Sequence, residues 1–152
     1  MLRIRLKDSL KDAMKSKDKR KLSTLRLILA TLHDRDIATR DKGGEEGIGD
    51  DKILQMLTTM VRQRRDSIAA YEEGGRIDLA TSEQEEIDII SEYLPKQFGE
   101  DEMNQAIDEI IAAVGAEGLK DMGKTMGALK SKYAGRMDFA KASALVKSAL
   151  GA

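Results

Sequence analysis

The sequence predicts an all-α fold: an antiparallel N-terminal helical bundle followed by a small three-helix C-terminal domain. Three observations predict it. Leu, Ile, Met, Ala, Glu, Lys and Arg dominate the 152 residues, a mixture that favours helices, while aromatics make up only 3%. Apolar residues recur every three or four positions in each long segment. No segment alternates apolar and polar residues as a half-buried strand would.

The elements follow in chain order. Leu2, Leu6, Leu10, Ala13 and Met14 form a first stripe, and Leu22, Leu25, Leu29 and Leu32 a second that ends near Arg40. The run DKGGEEGIG (41–49) reads as a loop. Asp50 is the expected N-cap of a third helix carrying Ile53, Leu57, Met60, Val61, Ile68 and Tyr71, stopped by Gly74-Gly75. Ser82 and Glu85 resemble a capping box ahead of Ile87, Ile90 and Leu94, although the fourth helix could begin earlier, near Asp78. Pro95 disfavours helix at the residue before it, so a boundary is expected there, with domains 1–94 and 95–152 and a hinge at 93–99. Beyond it come three stripes: Met103, Ile107, Ile110 and Val114; then Met122, Met126, Leu129 and Tyr133; then Phe139, Ala142, Leu145, Val146 and Ala149. Asp138 is the expected N-cap of the last helix, and Gly135 closes the one before it.

Composition bounds the function. The absence of cysteine removes disulfides, zinc-thiolate sites and Cys nucleophiles. The start is too charged for a signal peptide, and no apolar run reaches membrane length, so a soluble, cytoplasmic protein with no membrane partner is expected. The net charge of −1 conceals segregation. Residues 1–40 hold 12 Lys/Arg against 5 Asp/Glu, and residues 118–152 hold 7 against 2. The stretch between is acidic, with 6 against 14 over 41–95 and 1 against 6 over 96–117. The basic segments either pair with the acidic middle or face a polyanion.

The stretch GLKDMGKT (118–125) matches the spacing of a phosphate-binding loop. Such a loop needs a buried strand before it, and MNQAIDEIIAAV has helical periodicity instead. Met122 and Met126 place Gly123 in the first turn of a helix, so the match is a coincidence of spacing. Gly123 and Gly127 then share one helix face, at a cost of about 1 kcal/mol each against Ala. Either a neighbouring helix packs closely there or a polyanion backbone does, with Lys124, Lys130, Lys132 and Arg136 supplying charge and Asp121 as N-cap. Arg64 falls on the apolar stripe of the third helix. It is expected to pair with Glu85, Glu86 or Glu92, with an RNA contact as the other reading. The basic turn KSKDKRK (15–21) is solvated or a second phosphate contact. With so few rings, only Tyr133 near the basic turn is a stacking candidate, so any RNA would be read by shape and backbone.

VRQRRDSI (61–68), GRIDLA (75–80), SEYLPKQF (91–98) and KDMGKTMGALKSKYAGRMD (120–138), in that order, resemble the GatB/YqeY family over essentially the whole chain. That resemblance implies two helical sub-bundles, related to the tail domain of the B subunit of glutamine-dependent aminoacyl-tRNA amidotransferase. It implies tRNA as a partner, together with amidotransferase or aminoacyl-tRNA synthetase proteins. It also carries a family label, carbon–nitrogen ligase with glutamine as amide donor.

The residues do not support catalysis by the chain alone. Glutamine hydrolysis needs an activated nucleophile. There is no Cys, the lone His33 is expected on an exposed helix face, and its neighbour Asp34 does not face it. No carboxylate cluster is spaced for metal, and no cofactor is indicated. The expectation is a non-catalytic helical tRNA-binding module associated with glutamine-dependent amide transfer, binding RNA through Lys124, Lys130, Lys132, Arg136, Gly123 and Gly127. The alternative is a protein–protein interaction scaffold with no direct RNA contact.

Overall fold

The structure is a computed structural model that describes residues 1–40 and 47–151. Among these residues it is all-α, with seven α-helices and one short 3-10 turn. The chain divides into two compact units, Met1–Pro95 and Lys96–Ala152.

The first unit holds α1 (Leu2–Ser16), α2 (Lys19–Arg40), α3 (Asp50–Glu73) and α4 (Ile77–Ser91). α1 packs along α2, and α3 along α4. The stripes meet in one core where Leu6, Leu25, Ile28, Ile53, Leu57 and Ile90 are sealed from solvent. Burying each such side chain contributes about 1.5–3 kcal/mol. α1 ends where Lys17 adopts a left-handed conformation, and the Asp18 carboxylate then accepts the Lys21 N–H (3.1 Å) to cap α2. Of the predicted loop, 41–46 lies outside the described residues.

Two capping expectations change. Asp50 does not cap its own helix, whose N-cap is Gly49. Its carboxylate accepts the Leu2 N–H (3.3 Å), so it caps α1, whose first turn has no acid or side-chain cap of its own. The Ser82–Glu85 box is not used. α4 starts at Ile77, near the earlier of the two starts the sequence allowed, because its buried stripe runs back to Ala80. Ser82 sits mid-helix and donates to the Asp78 carbonyl (3.3 Å), while Glu85 pairs with Arg20 (3.2 Å).

Arg64 pairs with Glu86 (3.0 Å) and donates to the Met60 carbonyl (3.1 Å), which satisfies a charge buried beside the core. Lys21 pairs with Glu92 (3.2 Å). In the N-terminal basic segment, Arg20 and Lys21 thus spend their charge on the acidic middle of the chain.

The second unit holds α5 (Glu100–Val114), the 3-10 turn Leu119–Asp121, α6 (Met122–Lys132) and α7 (Phe139–Gly151). Ile107, Leu129, Met137, Ala142 and Val146 close its core. Gly115 ends α5 at φ +66°, and Gly135 turns the chain at φ +76°. Asp138 accepts the Ala140 N–H (2.9 Å), the cap expected for α7.

Candidate nucleic-acid interface

The site is built on α6, and its first turn explains why GLKDMGKT does not cradle a nucleotide. The segment before Gly118 is helix α5, and Gly118 itself is extended. Thr125, at the position that would meet magnesium in a phosphate loop, is fully buried and donates its hydroxyl to the Asp121 carbonyl (2.9 Å). Asp121 stands at the N-cap of α6, yet its carboxylate accepts the Glu117 N–H (2.8 Å) and so braces the preceding turn.

A step of 100° per residue separates two faces of α6. Thr125 and Leu129 point into the core. Gly123 and Gly127 lie on the opposite side, both exposed. A Cβ built at either glycine meets nothing within 4 Å. Among the described residues of this unit, no helix packs against the pair, and the strip is open. Lys124 and Lys130 flank it on either side by helical phase, and both are exposed. Lys132 is also exposed, but it falls on the far flank, with its ammonium 5.4 Å from the Tyr133 ring centroid. Among the described residues, no carboxylate forms an ion pair with Lys124, Lys130 or Lys132.

Arg136 has a different employment. Its Nε donates to the Lys96 carbonyl (2.8 Å) and its guanidinium stacks 4.4 Å from the Phe98 ring centroid. The backbone reinforces this: the Phe98 N–H donates to the Arg136 carbonyl (2.8 Å). Arg136 ties the 96–98 segment to the turn before α7. Tyr133 meets Phe98 edge-on at 5.1 Å, which occupies the ring considered for stacking. The structure thus brings Gly123, Gly127, Lys124 and Lys130 together, sets Lys132 aside, and gives Arg136 a structural role.

Sequence reasoning missed Lys120. It lies one helical turn before Lys124, and both ammonium groups act on the Asp121 carboxyl. That group is held below the usual carboxylate range first by the Glu117 N–H, then by Lys124, with the Gly118 N–H and Lys120 adding to it. The i, i+4 spacing of the two lysines was the available signal.

Other chemistry is sparse. His33 is exposed on α2. Among the described residues, no group of three His, Cys, Asp or Glu is placed to hold a metal ion, and no helix is long and apolar enough to cross a membrane.

The family model described as Yqey-like protein matches residues 3–150. Curated relatives share a narrower stretch. The mitochondrial protein named altered inheritance of mitochondria protein 41 from Eremothecium gossypii is 37% identical over 89 residues, covering 59% of this chain and 46% of the relative. Its namesakes from Candida glabrata and Saccharomyces cerevisiae are 36% and 35% identical over the same number of residues. The match spans only about half the length of these relatives (46% and 47% for the first two). Their mitochondrial designation overturns the cytoplasmic location expected from the sequence. That expectation rested on a charged start and the lack of a membrane-length apolar run, features that say nothing of compartment.

Proposed function

The chain belongs to the Yqey-like protein family, and from that premise we propose that it is a non-catalytic helical tRNA-binding module, working alongside glutamine-dependent amide transfer on tRNA. The observation that carries this reading is the open glycine strip of α6 between two exposed, unpaired lysines. Glycines in the interior of a helix weaken it, and here no packing among the described residues compensates. Their use is to let a backbone come close while Lys124 and Lys130 reach its phosphates from both sides. Sequence-independent phosphate contacts suit a partner recognised by shape, as a folded tRNA is. The basic turn at 15–21 is a weaker candidate, since Arg20 and Lys21 are paired within the chain.

Binding of folded tRNA at two salt concentrations tests this. Removing one lysine–phosphate interaction should flatten the logarithmic salt slope by about 0.7–0.9. Lys124→Ala combined with Lys130→Ala should therefore weaken binding and flatten the slope by about 1.4–1.8. Unchanged affinity and slope would refute the assignment.

A further inference from the structure

The geometry points to a second phosphate position on the same RNA, in the groove between the 3-10 turn Leu119–Asp121 and the last turns of α7, held by Lys147 and Ser148. The inference rests on the tRNA-binding reading and extends its footprint to a different helix.

The groove has a volume of about 370 Å³ and is lined by Leu119, Lys147, Ser148 and Gly151. The 3-10 turn packs on both α6 and α7, so it stands between the first turn of α6 and this groove. Leu119 and Lys120 divide the turn between them. Leu119 is 53% exposed and faces the groove, with its Cδ2 3.8 Å from where a Cβ on Gly151 would stand. Lys120 stands with Lys124 about the Asp121 carboxyl. In this proposal an RNA strand on the glycine strip runs past Lys124 and Lys120 to the turn that borders the groove.

The groove offers what a nucleotide requires. Lys147 is an exposed ammonium without an ion pair among the described residues, and the Ser148 hydroxyl makes no hydrogen bond there. A phosphate takes its charge-assisted contact from the first and a hydroxyl donor from the second. Leu119 supplies an apolar wall for the sugar. An exposed leucine beside an unpaired lysine and a free hydroxyl, in continuity with a basic face, marks a phosphodiester strand more specifically than a solvated surface would.

The experiment titrates the full chain with folded tRNA at about 50 and about 200 mM salt. Lys147→Ala should weaken binding several-fold and flatten the salt slope by about 0.7–0.9. Leu119→Ser should weaken it with the slope unchanged, because no charge is removed. Lys147 and Leu119 are both exposed, so neither variant threatens the fold. If Lys147→Ala binds like the parent while Lys124→Ala with Lys130→Ala loses affinity, the groove assignment is overturned and the α6 reading stands. If neither set changes binding, both are overturned.

Discussion

The residues that fasten the first unit gather around Asp36. Its carboxylate, buried on α2, accepts from both terminal guanidinium nitrogens of Arg3 on α1, with the Arg3 Nη2 at 3.0 Å, and from the Ile48 N–H at 2.9 Å. Arg3 also donates to the Ile48 carbonyl (2.9 Å). The clasp therefore joins α1, α2 and the residues leading into α3. Gly47 is required for it: its φ is +86°, and a Cβ there would stand 2.5 Å from an Asp36 oxygen and 2.8 Å from the Arg3 guanidinium. Pairing with Arg3 first, and the Ile48 N–H second, holds the Asp36 carboxyl below its ordinary range. A depressed folded value means the stabilisation is fully present above the ordinary carboxylate pKa of about 3.9. It is lost as pH falls through the folded value. Asp36→Asn should therefore cost about 1–3 kcal/mol at neutral pH. Its deficit against the parent should shrink in urea unfolding once pH falls below the ordinary carboxylate value of about 3.9, where the parent begins to lose this stabilisation. A deficit that is the same at both pH values would mean that packing, not charge, holds the clasp.

At the scale of the element, α6 combines a weakened helix with an unobstructed surface, and the two are separable. Ala at Gly123 and Gly127 has room on every side, and neither glycine has a positive φ. Gly123→Ala with Gly127→Ala should raise the stability of the second unit by up to about 1 kcal/mol per site. The same methyl groups stand where a phosphate backbone would approach, so tRNA affinity should fall. Thermal unfolding and tRNA titration of this one variant read both effects. Lower stability would show that the glycines serve the fold. Much of α6 was legible beforehand: the Met122, Met126 and Leu129 stripe fixed its phase, and the phase put both glycines on one side. Whether that side was open was not legible, because a close-packed helix and a bare surface call for the same two glycines. Caps were legible only where the partner is local. Asp138 caps α7 from the adjoining residue, whereas Asp50 caps α1 from 48 residues away, a distance no local pattern encodes. The partners of Arg136 were illegible for the same reason: Lys96 and Phe98 lie some 40 residues earlier in the chain.

Across the whole molecule, charge segregation resolves into two different uses. Acidic α4 and the residue that follows it take Arg20, Lys21 and Arg64, through Glu85, Glu92 and Glu86, as neighbours within the same bundle. Lys124 and Lys130 on α6 form no ion pair among the described residues, although the Asp121 carboxyl lies in the field of Lys124. The segregation was visible in the sequence, but only side-chain geometry tells a consumed charge from one left available. The family could be read from the order of four motifs, and the matched model covers residues 3–150. The compartment could not be read, since the same helical pattern serves in either place.

The most direct test of the α6 face is a lysine-reactivity footprint of the intact chain, acetylated with and without folded tRNA and read by mass spectrometry. Protection of Lys120, Lys124 and Lys130, with Lys7, Lys11 and Lys15 on α1 still reactive, is the predicted result. Unaltered reactivity at Lys124 and Lys130 under saturating tRNA, or protection confined to α1, would contradict it.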